Sequence, residues 1–371
     1  MIRNFEKYFL DVITHKQKGF VSSCLRFFLL ILSWPYRLLI ACRNWTYDHG
    51  WVRRYSPPVP VVMSIGNIVV GGTGKTPVTL LIAQEFYQHF SLAILSRGYR
   101  APAEKLSIPI ILSNGNGPIQ SASFCGDEPY LLAQNLPKAT VIVGRDRHKA
   151  ADIAAREGVK LLLLDDGMQH RRLARDFEVV VVDASDPFGQ GHFLPRGLLR
   201  ESLDSLKRAD LIVLNHTDGP DGFLSIKKKL ERYHGAVVVG TRMEVVGVKL
   251  FGGETIPSLE GKKVGIFCGI AHPEYFCQTV KKLGAEIVDM TFAGDHRGFD
   301  SASLAAFATS CKELGAEYLV CTEKDKVKIP EVQQYVLPLV WVQMRLEVVQ
   351  GAAEWHAFMD KVRGELRKSS E

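Results

Sequence analysis

Residues 71–76, Gly-Gly-Thr-Gly-Lys-Thr, constrain the fold of this chain more than any other stretch. They follow an apolar run that ends at Ile65 and precede another, Val78 to Ala83. A strand, a glycine-rich loop and a helix in this order form a phosphate-binding loop, in which backbone N–H groups converge on phosphate oxygens. The lysine of such a loop reaches the terminal phosphates, and the threonine hydroxyl can ligate Mg²⁺. We therefore predict a nucleoside triphosphate site formed by Gly71, Gly72, Thr73, Gly74, Lys75 and Thr76.

The match to this motif is imperfect. The strict pattern G-x-x-x-x-G-K-[ST] requires glycine where the chain has Val69, and glycines occur instead at Gly66, Gly71 and Gly72. The alternative is an ordinary glycine-rich turn with a surface lysine. The position of Gly-Lys-Thr between a predicted strand and a predicted helix favours phosphate binding.

The rest of the chain alternates short apolar runs with helical patterns. Strands are predicted near 91–96, 140–143, 160–164, 177–182 and 210–214, and a long connection rich in Pro, Gly, Asn and Ser runs from Arg97 to Ser123. Such alternation predicts an α/β fold like that of phosphate-loop NTPases, with a mostly parallel sheet covered by helices on both faces. Glycines cluster between Gly247 and Gly261, and the pattern restarts at Val264. We predict a core domain over 56–250 and a smaller α/β domain over 262–371.

The first 55 residues differ from the rest because aromatic and aliphatic residues are mixed with cations. Arg26, Pro35 and Arg37 shorten the apolar run below the ~20 residues that span a bilayer core. We predict an amphipathic, membrane-associated helical segment over 1–55, lying at the membrane interface. Its lipid-facing residues would be Phe27, Phe28, Leu29, Ile31, Leu32, Leu38, Leu39 and Ile40. The alternative is a helical cap on a soluble core.

Composition limits the partners of the chain. The net charge of +6 is not gathered into long Lys/Arg blocks, so a nucleic-acid partner is not expected, and an anionic substrate or membrane surface fits better. The seven cysteines include no C-x-x-C pair, which indicates reduced thiols rather than a disulfide framework or zinc site.

Asp165 and Asp166 are the candidate metal carboxylates. They follow the apolar run Leu161 to Leu164, at the strand end where ligands of open α/β sheets bind. An Asp-Asp-Gly turn without function is the alternative. Arg171 and Arg172 follow shortly after, either as phosphate clamps or as surface charge.

A second acidic pair, Asp127-Glu128, lies at a predicted helix N-terminus, where carboxylates commonly serve as caps. A kinase acting on a sugar hydroxyl needs a proton acceptor, and an aspartate paired with the loop histidine His296 would supply one. The alternative is that His296 is a solvated loop residue. Arg196, Arg200 and Glu201 lie in a Gly/Arg-rich segment that either contacts phosphate, metal or sugar, or is a surface connection. The stretch Thr322–Asp325 follows a strand, and its role stays open.

Eight stretches together resemble the tetraacyldisaccharide 4′-kinase family, the lipid A kinases. They appear in family order across most of the chain and are Ser64–Asn67, Gly71–Pro77, Ser96–Tyr99, Gly126–Pro129, Asp165–His170, Leu194–Glu201, Asp295–His296 and Thr322–Asp325. The resemblance implies an ATP-dependent phosphotransferase that moves the γ-phosphate of ATP to the 4′-hydroxyl of the lipid A disaccharide 1-phosphate. It also implies a place at the cytoplasmic face of the bacterial inner membrane, peripheral or shallowly inserted through the N-terminal segment.

By the same resemblance, ATP and Mg²⁺ are the expected cofactors. Lys75 and Asp166 would act in catalysis with a base formed by Asp127 and His296, and the metal would be held by Thr76, Asp165, Asp166 and Glu201. A monomer is expected.

Two positions depart from the family pattern. Pro195-Arg196-Gly197 replaces Pro-Ala/Ser-Gly, and Arg297-Gly298 follows His296 where a polar or aromatic residue is expected. Three rival hypotheses remain: a nucleotide-dependent switch or assembly NTPase at the membrane, a non-catalytic membrane scaffold, and a soluble small-molecule kinase. Lipid-independent nucleotide turnover would favour the switch.

Overall fold

The computed structural model describes residues 2–217, 219–270, 273–293, 299–329 and 335–369. The predicted Asp295–His296 loop, with Arg297, lies outside the described residues. The helices are α1 Ile2–Ile13, α2 Phe20–Asp48, α3 Lys75–Phe86, α4 Ala122–Cys125, α5 Asp127–Asn135, α6 Arg147–Arg156, α7 Gly219–Leu230, α8 Pro273–Lys282, α9 Ser301–Glu313, α10 Glu323–Lys326 and α11 Ala352–Lys368. The strands are β1 Val61–Gly66, β2 Leu92–Ser96, β3 Ile110–Asn114, β4 Thr140–Val143, β5 Leu161–Asp165, β6 Phe177–Asp183, β7 Leu211–Asn215, β8 Val237–Leu250, β9 Thr255–Ile256, β10 Lys263–Cys268, β11 Glu286–Phe292, β12 Tyr318–Thr322 and β13 Leu339–Gln350.

The chain divides into two compact units. The first comprises Met1–Ser96, Asp146–Arg242 and Val348–Glu371, and the second comprises Arg97–Arg145 and Met243–Glu347. The contiguous domains predicted from sequence, 1–55, 56–250 and 262–371, stay a prediction. The units differ from them chiefly in grouping 97–145 with the C-terminal half of the chain.

The first unit is built on a parallel sheet in the order β8, β7, β6, β1, β5, β2. Every residue of β1, β2, β5, β6 and β7 is buried, although successive side chains of a strand point to opposite faces. Both faces of this sheet are therefore covered, which the continuous Val/Ile/Leu runs predicted. Helix α3 packs on β1 and β5, and α6 packs on β2.

The second unit contains a smaller parallel group in the order β11, β10, β12, β13. Antiparallel pairs of β3 with β4 and of β8 with β9 also lie within it. Helices α8 and α9 pack on β11. The predicted mostly parallel α/β fold is confirmed.

One local expectation is corrected. The connection Arg97–Ser123 contains strand β3, whose apolar stretch of three residues lies between Pro109 and Gly115 and is too short to give a clear periodic signal. Strand β8 runs through Gly247 and ends at Leu250, where the predicted core domain also ends.

Helix α2 exposes apolar side chains and buries serines, whereas a helix that packs on a soluble core does the opposite. It runs without interruption through Pro35, and within the fully described range Phe20–Asp48 the buried side chains are Ser22, Leu29 and Ser33. Its exposed side chains include Phe20, Val21, Phe27, Phe28, Ile31, Leu32, Trp34, Leu38, Leu39 and Trp45. The predicted N-terminal apolar helix is confirmed, and many of its large apolar side chains are exposed.

Candidate nucleotide and metal site

The phosphate loop connects β1 to α3 in the first unit. Gly71 and Gly74 have φ angles of 119° and 84°, and Lys75 is the first residue of α3. L-residues with side chains rarely adopt such angles, so glycine is required for the loop to turn into the helix. The N-terminus of α3, with its unpaired N–H groups and positive dipole end, therefore lies at the loop, as anion binding needs.

Asn215, the last residue of β7, supports the loop from the neighbouring strand end. Its Nδ2 donates to the Thr73 carbonyl oxygen at 2.7 Å, and its Oδ1 accepts from the Thr241 hydroxyl. A Cβ atom on Gly74 would lie 2.3 Å from Asn215 Nδ2. Gly74 is thus required both by its backbone angle and by the close approach of this amide.

Asn67 supports the loop from its other side. The fully buried Asn67 donates from Nδ2 to Thr73 Oγ1 at 3.0 Å, and its carbonyl oxygen accepts from Gln169 Nε2 at 2.8 Å. Neither Asn67 nor Asn215 was predicted as a site residue. The signal for Asn215 was present in the sequence, since a polar residue directly follows the apolar run Leu211–Leu214.

Lys75, Asp166 and Arg200 form the charged centre of the site. Lys75 Nζ lies 3.7 Å from Asp166 Oδ1, and Arg200 pairs with both oxygens of Asp166 at 3.1–3.3 Å. Burial raises the pKa of Asp166, but Lys75 and Arg200 together outweigh this effect, so the pKa lies below its ordinary value. Its side chain is 37% exposed, and Asp166 adopts the left-handed region with φ of 52°. The structure therefore holds an ionised, accessible carboxylate beside the loop lysine.

Asp165 lies directly before this centre, at the end of β5. Parallel pairing places it opposite Ile65 of β1, the strand that leads into the phosphate loop. Its carboxylate accepts from Thr79 Oγ1 of α3 at 3.4 Å and from Ser96 Oγ of β2 at 3.2 Å. Arg147 donates to its carbonyl oxygen at 3.1 Å. Asp165 is only 4% exposed, so these hydroxyls fix a buried carboxylate in one orientation.

Thr76, Asp165 and Asp166 stay the predicted magnesium ligands of the first unit. Within the described ranges there is no group of three or more His, Cys, Asp and Glu side chains able to hold a metal by themselves. A cation here would therefore need phosphate oxygens and water as further ligands. Mg²⁺ is usually bound in this way, through one or two carboxylates together with substrate phosphates.

Glu201 is held in a different network, which joins α2 to the core. Its two fully buried oxygens accept from Arg43 at 2.8 Å, from Asn44 at 3.3 Å and from Arg208 at 2.6 Å. None of these three donors was predicted from the sequence to contact Glu201. A metal-binding role for Glu201 stays a prediction.

Arg171 also contacts α2 rather than the phosphate loop. It forms an ion pair with Asp48, donates to the Asn44 carbonyl oxygen at 3.1 Å, and stacks over the Tyr47 ring. With 5% exposure it is neither a surface charge nor a free clamp, so both sequence alternatives for it are corrected.

Asp127 lies in the second unit, as the first residue of α5. Lys328 Nζ forms an ion pair with its Oδ2 at 3.3 Å, without hydrogen-bond geometry, and lies 3.4 Å from Asp325. The neighbouring Glu128 pairs with Lys324 at 3.4 Å. The pairing of Asp127 with His296 stays a prediction, since His296 lies outside the described residues.

The stretch Thr322–Asp325 acquires a structural role in the second unit. The Thr322 hydroxyl donates to Asp325 at 2.6 Å, and the buried Asp325 accepts from the Gly269 N–H at 3.0 Å. Asn135 of α5 donates to Glu323 at 3.0 Å. The stretch thus joins the end of β12 to the helix that begins with Asp127.

A phosphate loop between β1 and α3, with a strand-end carboxylate pair beside its lysine, defines an α/β nucleotide-binding protein of the phosphate-loop class. Sequence comparison gives the family. The family model described as Tetraacyldisaccharide-1-P 4′-kinase matches residues 25–363. The chain belongs to this family.

Relatives and a solved structure agree with this assignment. The chain is 36% identical over 341 residues to a tetraacyldisaccharide 4′-kinase of Anaeromyxobacter sp. (strain K), covering 90% of this chain and 89% of that protein. It is 36% identical over 338 residues to the enzyme of that name from Syntrophus aciditrophicus (strain SB), covering 86% and 88%. The crystal structure of LpxK from Aquifex aeolicus in complex with ATP matches with a TM-score of 0.73 and 27% identity, covering 92% of this chain and 99% of that one.

Proposed function

We propose that this protein is an ATP-dependent lipid kinase that transfers the γ-phosphate of ATP to the 4′-hydroxyl of tetraacyldisaccharide 1-phosphate in lipid A synthesis. The observation that carries the proposal is the Lys75–Asp166–Arg200 centre at the N-terminus of α3, in a chain of the tetraacyldisaccharide 4′-kinase family. Two cations around one carboxylate provide positive charge where the phosphates of ATP would lie. Positioning and charge stabilisation are the main contributions a protein makes to phosphoryl transfer.

The residues divide the work between binding and proton transfer. Lys75 and the N–H groups at the start of α3 would hold the β- and γ-phosphates, and Thr76, Asp165 and Asp166 would hold Mg²⁺. The metal, when bound, supplies neutralisation of the phosphate charge. Arg200 is placed to exchange one of its contacts to Asp166 for a phosphate oxygen.

Asp127, oriented by His296, would accept the proton of the 4′-hydroxyl. Lys328 forms an ion pair with the Asp127 carboxylate at the start of α5. Glu201 is retained as a candidate of the metal network, with its contacts to Arg43 and Arg208 as the competing structural role.

We also propose that α2 binds the cytoplasmic surface of the inner membrane, where an acylated acceptor and ATP are both available. The helix has 29 residues, and at 1.5 Å per residue its length of roughly 43 Å would suffice to cross a bilayer. Arg26, Arg37 and Arg43 are spread along it, which favours a helix lying in the interface with its Phe and Leu side chains in lipid.

The decisive experiment is transfer of labelled γ-phosphate from ATP to tetraacyldisaccharide 1-phosphate in mixed micelles. The wild type is compared with Lys75→Ala and with Lys229→Ala, which removes an exposed lysine of α7. We expect labelled lipid from the wild type and Lys229→Ala, and none from Lys75→Ala. ATP hydrolysis that needs no lipid, without labelled lipid, would instead support a nucleotide-dependent switch.

A further inference from the structure

A cationic cluster formed by His15, Arg26, His192 and Arg196 lies in the first unit and shares no residue with the nucleotide site. His15 is in the turn between α1 and α2, Arg26 is on α2, and the other two are in the segment that precedes Arg200. Arg196 Nη2 lies 3.1 Å from His15 Nε2. Arg26 donates to the Gln17 carbonyl oxygen at 2.9 Å and to Ser23 Oγ at 3.0 Å, which fixes it against the same turn.

Arg196 is the unusual member of this cationic cluster. It is 7% exposed, and its buried Nη1 has no hydrogen-bond partner among the residues that the structure describes. Its other terminal nitrogen contacts a histidine, not a carboxylate. Burying a guanidinium without an anionic partner costs roughly several kcal/mol of folding free energy, so such groups are normally paired.

The charged neighbours that shift the pKa values of the cluster are all basic groups. Burial lowers the pKa of Arg196, and Arg26 lowers it further. Burial also lowers the pKa of His15, with Arg196 and Arg26 adding to the effect, and lowers that of His192, with Arg196 and His15 adding to it. Throughout the described ranges, no carboxylate opposes these shifts. The exposed Lys16 and Lys18 of the same turn add to the positive charge.

We infer that the cationic cluster binds the phosphate group of an anionic membrane lipid, with the Arg196 guanidinium as its main ligand. A phosphate that displaces the exposed His15 ring would take Nη2 and bring an acceptor to the unpartnered Nη1, in the planar two-point geometry that guanidinium groups favour. The inference rests on the proposed membrane association of α2, and it adds a lipid site that is separate from the nucleotide site.

The surroundings of the cluster favour a lipid phosphate over a free one. Phe20 and Val21 begin α2 and are 84% and 72% exposed, and Phe27 and Phe28 directly follow Arg26. Cations beside exposed aromatic side chains match the headgroup layer, where the apolar rings enter the acyl region and the cations meet phosphate.

The segment that matches the family model begins at residue 25, so His15 precedes it. A lipid contact that includes His15 therefore extends beyond the segment through which the chain matches its family.

The test uses the full-length protein and flotation with vesicles of phosphatidylcholine alone or of phosphatidylcholine with phosphatidylglycerol. Arg196→Met keeps the apolar stem and removes the guanidinium, and Arg156→Ala removes one exposed charge from α6 as the matched control. We expect phosphatidylglycerol to strengthen binding of the wild type and Arg156→Ala. Arg196→Met should lose about fivefold or more of that affinity, while its binding to phosphatidylcholine alone stays unchanged. The melting temperature of Arg196→Met without vesicles should be equal or higher, because a buried unpaired charge is removed.

Each of the other outcomes contradicts one part of the proposal. Equal binding of Arg196→Met and wild type to phosphatidylglycerol vesicles would refute the lipid site and leave the membrane association standing. Failure of the wild type to float with either kind of vesicle would refute the membrane association itself. If inorganic phosphate raised the melting temperature of the wild type but not of Arg196→Met, and vesicle binding were equal in both, the cluster would be a site for free phosphate and the lipid assignment would be wrong.

Discussion

Helices α2 and α3 both carry apolar runs, yet their side chains lie in opposite environments. In α3 the buried side chains are Val78, Thr79, Ile82, Ala83 and Phe86, and the helix packs on β1 and β5. In α2, which is fully described from Phe20 to Asp48, two of the three buried side chains are serines, while its three phenylalanines and Leu32, Leu38 and Leu39 are exposed. An apolar run thus predicts that one face of a helix is removed from water. Only packing shows whether protein or lipid covers that face.

The attachments of the two helices differ in the same way. The first turn of α3 is joined to the sheet edge through Lys75 and Asp166, as a catalytic site requires. Helix α2 is joined to the core mostly through polar groups, with Arg43 and Asn44 on Glu201 and Asp48 on Arg171. A polar inner face and an apolar outer face are what an interfacial helix needs.

The largest expected effect concerns the start of α3. Lys75→Met should lower kcat by about 10²–10³-fold, because it removes a cation that stabilises charge developing on the transferred phosphate. The measurement is steady-state phosphoryl transfer at saturating ATP. Thermal unfolding provides the control, since Lys75 is not part of the hydrophobic core. A fall confined to KM would show that Lys75 serves ground-state binding alone.

A matched pair of isoleucines tests the comparison directly. Ile82→Ala in α3 should reduce the free energy of unfolding by about 2–5 kcal/mol, since Ile82 is fully buried. Ile31→Ala in α2 should leave it almost unchanged, because Ile31 is 54% exposed, and should weaken vesicle binding instead. Chemical denaturation and vesicle flotation measure the two quantities. Comparable destabilisation by both changes would mean that α2 packs on protein in solution.

Glu201→Gln tests the attachment of α2 to the core. The change leaves Arg43 and Arg208 beside a neutral amide. Breaking a buried ion pair in this way lowers the free energy of unfolding by up to about 5 kcal/mol. We expect faster hydrogen exchange in α2 and an unchanged Mg²⁺ dependence of kcat. A large shift in the Mg²⁺ titration with no change in exchange would instead assign Glu201 to the metal.

The smallest expected effect is a pH dependence at Asp48, the last residue of α2. The hydrogen bond from Arg171 lowers the pKa of Asp48, although burial partly opposes it. A lowered folded-state pKa stabilises the attachment above the ordinary carboxyl pKa, and this stabilisation is lost as the pH falls through the folded value. Proteolysis within α2 should therefore accelerate on acidification in the wild type. Asp48→Asn should be cleaved faster at neutral pH and show a weaker response to acid.

Much of the fold was predictable because local patterns agree with the tertiary structure. The runs ending at Ile65, Leu164 and Leu214 became buried parallel strands, as short apolar runs that alternate with helical stretches indicate. The site was predictable only where a sequence motif or the end of an apolar run marks it, as at Lys75 and Asp165. Asn67 and Thr79 were missed because a buried polar residue has no sequence signature until its partner is known.

The sequence by itself determined the alternation of strands and helices, the phosphate loop and the apolar N-terminal helix, because each depends on residues that are close along the chain. Tertiary structure decided which strand ends lie side by side, and so which carboxylate faces Lys75. It also decided that Glu201 and Arg171 hold α2 and that Arg196 is buried among cations. These pairings join residues that are 100 or more positions apart in several cases, as for Glu201 with Arg43 and Arg171 with Asp48. Packing alone brings such residues together, since no local propensity specifies a contact at that separation.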